Sequence, residues 1–347
     1  MGSFGSAVLL SALATLAPLK PVTTIDLSSQ GTFASDVTWL NDDELLVTLL
    51  HGGVAKVSLG SRKITQWVPL GEMPDGFPYP ELVATDGNLV VVMGAGRRNY
   101  MFRTKDGKHL SGYGGGRLYP RGVAVVDGKA VYMGWMGRAG EDETLRRGVL
   151  WTQVPGQDVV ETPIHRILGD NETVQRWRMT ASPYAGAMVA LPDRSVAVMT
   201  AAEPGIYRFD HTGKLVEILG SGEDSLMLDT PKIGREYNVD VTARYVQLLN
   251  RGPMLDDLVV LPGNGVAALV RTAANGQIGW TLWRADKSGF SRKQPLGVTR
   301  EGPFGHMRCE SRKSRLACVT DLPGMQHKGK PETAGANPRL FLFNLPK

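Results

Sequence analysis

Little in this sequence points to a familiar catalytic or nucleic-acid-binding apparatus. Cysteine occurs twice, aromatic residues make up 7% of the chain and charged residues 21%. Two cysteines as close as Cys309 and Cys318 cannot form a structural zinc site by themselves. No nucleophile-elbow serine, His-Glu-x-x-His helix, phosphate loop or dinucleotide fingerprint occurs in a suitable context, so no nucleotide cofactor is expected. The net charge of +5 is spread over 347 residues. With no RNP, KH or zinc-finger pattern, that spread excludes nucleic acid as an expected partner. Apart from Ala7–Leu19 there is no long apolar run, and the mature chain is expected to have no membrane span.

What the sequence has in quantity is glycine, 42 residues, and proline, 21 residues, placed at turns between short apolar runs. A strand–turn–strand unit recurs at Val37–Leu50, Glu81–Gly94, Gly122–Gly134, Ala187–Thr200, Leu258–Arg271 and His306–Asp321. Each hairpin except the last is followed by two further strand-like stretches, which gives four antiparallel strands per unit. The sixth unit has only Arg339–Leu345 after its hairpin. The orphan stretch Val22–Ser28 supplies its missing strand, which closes the ring and removes two open edges. The expected fold is all-β, a six-bladed β-propeller of four-stranded antiparallel blades, closed by the N-terminal strand in the last blade. On these repeated hairpins the chain resembles six-bladed propellers of the NHL/TolB-like kind over nearly its whole mature length.

Residues 1–19 form a segment like a signal peptide, and residues 20–347 one propeller domain. Ala7–Leu19 is uncharged and apolar and contains the small-x-small pattern Ala12-Leu13-Ala14, although no Lys or Arg precedes it. A secreted or periplasmic location is expected, and the protein is read as a monomer. In that setting Cys309 and Cys318, opposed across a hairpin turning at Lys313-Ser314, are expected to form a disulfide.

Loop lengths select a face. The long connections, among them Gly134–Arg147, Gly169–Tyr184 and Ser221–Gly252, all join the second strand to the third or one blade to the next, and so share one face. The turns on the other face are short. Long loops on a rigid scaffold commonly carry function. At that mouth of the channel, ligand-binding candidates are Asp36, Arg121, Asp256 and Asp257, joined from the long loops by Arg235, Trp177, Arg178 and Tyr184. His306, Tyr237 and Glu81 are the candidates for acid–base catalysis, with Arg121 suited to an anionic group. A divalent cation at this mouth is a candidate cofactor. Two readings stay open. One is an exported propeller binding a small polar or anionic ligand, with hydrolase, lyase or isomerase chemistry by Tyr, His and carboxylate groups. The other is a non-catalytic envelope module for a peptide, glycan or protein partner.

The disulfide expectation has a direct check. Thiol titration of the denatured, unreduced protein from its native compartment should find no free cysteine, and two reactive thiols would refute the pairing.

Overall fold

The structure is a computed structural model. It describes residues 16–346 apart from 31–32, 50–51, 69–79, 95–97, 114–117, 137–146, 160–162, 168–170, 172–173, 175–176, 178–185, 201–202, 222–252, 275–276, 302–305 and 321–337. The chain begins with β1 (Thr23–Asp26) and then lays down five blades in sequence order. The first blade is β2 (Ala34–Trp39), β3 (Glu44–Leu49), β4 (Gly53–Ser58) and β5 (Lys63–Val68). The second is β6 (Pro80–Thr85), β7 (Leu89–Gly94), β8 (Arg98–Arg103) and β9 (His109–Tyr113). The third is β10 (Leu118–Val126), β11 (Lys129–Met136), β12 (Gly148–Gln153) and a two-residue outer strand, β13 (His165–Arg166). The fourth is β14 (Gly186–Ala190), β15 (Val196–Thr200), β16 (Ile206–Phe209) and β17 (Leu215–Leu219). The fifth is β18 (Met254–Leu261), β19 (Gly265–Ala274), β20 (Gln277–Asp286) and β21 (Gly289–Glu301).

The sixth blade closes the ring as the sequence predicts. Its order is β22 (Met307–Arg312), β23 (Arg315–Thr320), β24 (Arg339–Asn344) and then β1. Thr23 pairs with Leu342 and Asp26 with Arg339. Along β1 and the residue after it, alternate side chains turn inward, and Ile25 and Leu27 are buried with Val47, Val319 and Leu340. Each such side chain stabilises the closure by about 1.5–3 kcal/mol when fully buried. The N-terminal segment also continues past β1. Leu19 N–H donates to Pro295 O (2.9 Å), Gly297 N–H donates to Leu19 O (2.7 Å), and Leu19 packs on the fifth-blade core. Residues 17–22 therefore bridge the outer strands of the fifth and sixth blades.

The hairpin of the sixth blade turns at Lys313-Ser314, with Lys313 at φ 57°. Cys309 and Cys318 face each other in register and are joined as a disulfide. Among the described residues no helix is long and apolar enough to cross a membrane.

Removing residues up to Ser28 should lower the melting temperature by about 5 °C or more, because β24 would become an open edge. A truncated protein that melts with the parent would refute the closure.

Candidate functional site at the channel

The first strand of each blade lines the axis, and four of these six inner strands carry a β-bulge at the same place. Pairing slips between Ala34 and Asp36, Pro80 and Leu82, Pro120 and Gly122, and Leu255 and Asp257. The extra residues are Ser35, Glu81, Arg121 and Asp256. A bulge breaks the ladder and re-aims a side chain, and proline, which cannot donate to a ladder, is tolerated there. The repeated Tyr-Pro of Tyr79-Pro80-Glu81 and Tyr119-Pro120-Arg121 therefore marks the mouth in the sequence itself.

Behind the bulges, carboxylates strap one blade to the next. Asp36 accepts from Val37 N–H and, in the second blade, Val83 N–H, both at 2.9 Å. Asp257 accepts from Leu258 N–H and, in the sixth blade, Cys309 N–H, also at 2.9 Å. Asp256 accepts from Trp280 Nε1 (2.7 Å) and Met307 N–H (3.0 Å), and faces the guanidinium of fully buried Arg271 at 3.3 Å. Glu310 accepts from Trp39 N–H at 2.7 Å, joining the sixth blade to the first. Arg308 pairs with Asp257 at 3.2 Å.

The channel is consequently two-sided. The fifth, sixth and first blades contribute Asp257, Arg308, Glu310 and Asp36 to a central cavity of about 60 Å3. The second to fourth blades contribute Leu82, Gly122, Ala187 and Met188. Gly122 favours this close approach, since a Cβ there would lie 3.0 Å from Met188 Cγ and would press that flexible side chain aside. Burial pushes Asp36 up to about 8, with Arg308 opposing and Asp257 reinforcing the shift. Burial likewise pushes Glu310 up to about 7. Asp257 is raised by burial and drawn back by Arg308.

Of the candidates from the sequence, the structure brings Asp36, Arg121 and Asp257 to one cavity. Glu81 stands on the neighbouring bulge to Arg121. Its side chain keeps contact with water, yet the surrounding protein raises its carboxyl, and Arg121 offsets part of that shift. Half-buried Arg121 forms no ion pair with any described residue, and Glu81 is the charge that acts on it. Asp256 and His306 lie deeper. His306 is 4% exposed, its Nδ1 is 3.2 Å from Asp256 Oδ1, and burial beside Arg271 and Arg308 holds it well below the usual histidine range. It is a neutral imidazole at neutral pH. Trp177 is 1% exposed and packs in a core cluster with Val174, Ile167 and Leu150. Tyr237, Arg235, Arg178 and Tyr184 lie outside the described residues. Sequence reasoning missed Arg271, Arg308 and Glu310. Their strand alternation reads as ordinary hairpin patterning, and only the register shows which of them reach the axis. No three His, Cys, Asp or Glu side chains among the described residues are grouped to hold a metal ion.

No family model matches the sequence, and no curated protein matches it. Solved structures share its fold. A DUF4221-family protein from Bacteroides vulgatus aligns with TM-score 0.56 and 11% identity, over 92% of this chain and 96% of its own. The WD40 repeats of RRP9 align with TM-score 0.51 and 11% identity, over 94% and 99%. Streptogramin B lyase aligns with TM-score 0.50 and 10% identity, over 93% and 97%. The chain is a six-bladed β-propeller. At this identity the likeness is one of fold alone, and fold does not decide function.

The half-buried carboxyls of Asp36 and Glu310 give the protein a characteristic pH response. Asp36 and Glu310 hold protons more tightly folded than unfolded, so their contribution to stability is complete below about pH 4. It is lost as pH rises through about 7 and about 8, the folded values for Glu310 and Asp36. Half-exposed Asp42 and exposed Asp106, lowered to about 2 mainly by hydrogen bonds from Arg312 and Arg103, act oppositely and only at acid pH. Melting temperature should therefore fall from about pH 5 to about pH 8.5, and Asp36→Asn should flatten that fall. A stability that rises over this interval would contradict the assignment.

Proposed function

We propose that this protein is an exported propeller that binds a small anionic or polar ligand at the loop-rich mouth of its channel. One observation carries the reading: Arg121, a bulge residue lining the channel cavity, presents a guanidinium with no ion-pair partner among the described residues. Such a group suits bidentate pairing with a carboxylate or phosphate. Glu81, beside it and raised by its surroundings, is the proton donor or acceptor best placed for acid–base chemistry on the bound ligand. Export is supported by apolar Ala7–Leu19 and by the buried disulfide, since disulfides persist in oxidising compartments. The non-catalytic reading is favoured by one feature: His306 is buried and neutral, which leaves Glu81 as the proton-transfer group at the described mouth.

Thermal-shift screening against small carboxylates such as citrate and gluconate should find acids that raise the melting temperature. Arg121→Ala should weaken the best of them at least tenfold, about 1.4 kcal/mol, and Arg121→Lys should restore little, because an ammonium cannot reproduce the planar fork. Glu81→Gln should preserve binding while abolishing any turnover. An Arg121→Ala protein that binds these acids as the parent does would overturn the reading.

A further inference from the structure

The opposite end of the channel opens into a larger cavity. The inner hairpin tips of the second to sixth blades, with Trp39 of the first, surround a bowl of about 690 Å3, within the roughly 300–1,000 Å3 of small-molecule sites. Thr85, Val125, Ala190 and Glu310 border both the bowl and the narrower channel cavity, so these four form the neck between them. The charges around the rim are already engaged, exposed Asp86 by backbone donors and the others in ion pairs. Asp86 accepts from Asn88 N–H, Leu89 N–H and, across the blade seam, Gly128 N–H at 2.7 Å. Arg194 pairs with Asp127 at 3.3 Å. Arg312 and Lys313 both pair with Asp42 of the first blade.

Glu310 at the neck is different. It is bound to the backbone of Trp39, and no described Lys or Arg forms an ion pair with it, whereas Asp256 and Asp257 each have a guanidinium. A carboxylate removed from bulk water is costly until a cation joins it. We propose that the bowl is a second ligand site, for an organic cation, an amine or guanidine carried by a small molecule or by a peptide side chain, with Glu310 as its counter-charge.

The groups around Glu310 sharpen what binding should do. Burial raises its carboxyl most, hydrogen bonds from Thr38 and Trp39 N–H lower it, and more weakly Asp257 on β18 raises it and Arg312 on its own strand lowers it. Arg308, nearer the channel centre, is engaged with Asp257. Ala317 faces Glu310 across β23, and Thr85, Val125 and Ala190 complete the neck without charge. On the first-blade side, Arg315 lies over the Trp39 ring and donates to Asp42 O. With its carboxyl pushed to about 7, Glu310 is partly protonated at neutral pH, so an arriving cation displaces a proton to solvent.

The test is calorimetric titration with agmatine at about pH 7 in two buffers of different ionisation enthalpy, repeated with a Gly-Gly-Arg-Gly-Gly peptide amide. Agmatine is expected to bind with release of a fraction of a proton, and the peptide arm shows whether a side chain on a backbone fits the bowl as well. Glu310→Gln should weaken binding at least tenfold and abolish proton release. Ala190→Leu, which narrows the neck without altering charge, should weaken it too. Arg121→Ala should leave agmatine binding unchanged, which separates this site from the one at the other mouth. Equal binding by parent and Glu310→Gln, or no binding of either probe up to about 10 mM, would overturn the proposal.

Discussion

The inner strand of every blade is an edge strand, and this propeller is organised around the backbone groups that such an edge leaves unpaired. Buried N–H groups without acceptors cost about 1–3 kcal/mol each, and six strands converging on a narrow axis bring many of them together. The chain answers with side-chain carboxylates. Asp36, Asp256, Asp257 and Glu310 each accept a backbone N–H from the neighbouring blade. The same four contacts thus satisfy an edge and fix the angle between blades, from the fifth through the sixth and first to the second.

That solution creates the next problem, since Asp256 and Asp257 are themselves buried and Asp36 and Glu310 half-buried. Arg271 and Arg308 neutralise two of them, while Asp36 and Glu310 are held toward the protonated form. Across the axis the second to fourth blades approach through Leu82, Gly122 and Met188, where packing replaces polar straps. The mouth inherits this asymmetry. Arg121 projects from the third blade, away from the guanidinium-bearing side, and so is held by no carboxylate of the described straps. The charge that acts on it is instead Glu81, on the neighbouring bulge of the second blade.

The fold was largely legible because its signal is repetition. Six hairpins with turn residues at matching places define the blades, and the incomplete sixth unit together with Val22–Ser28 defines the closure, observed in the pairing of β1 with β24. The disulfide was legible for a related reason, because a two-residue turn fixes which residues oppose each other, and Cys309 and Cys318 do. The third blade shows where patterning overreaches: Asp158–Leu168 reads as a full outer strand, yet among its described residues the paired strand is His165–Arg166, extended by Ile164 N–H to Leu150 O and Ile167 N–H to Arg147 O. Its Pro163 lacks an N–H to donate. Site chemistry was legible only in outline. Residue type and position brought Asp36, Arg121 and Asp257 to one cavity, but depth along the axis depends on register and bulges. His306 could not be recognised as buried, nor Glu310 as facing the neck, without the pairing of β22 to its neighbours.

The two ends of the channel are chemically unlike, and the connection between them matters for how either would work. A carboxyl at about 8 and another at about 7 stand between the guanidinium of Arg121 and the bowl beneath Glu310. Asp36 and Glu310 each act on the electrostatics of Asp257 or feel it, so ionising one discourages ionising the next. A cation that displaces the proton of Glu310 leaves the net charge at the neck unchanged, and one that joins the already ionised carboxyl removes a negative charge from the axis and eases ionisation of its neighbours. The coupling is electrostatic and short-range, carried by a channel too narrow to fill with screening salt. Any influence of one site on the other therefore passes through the carboxylates that hold the blades together, and the parts that close the ring are the same parts that set the charge of its axis.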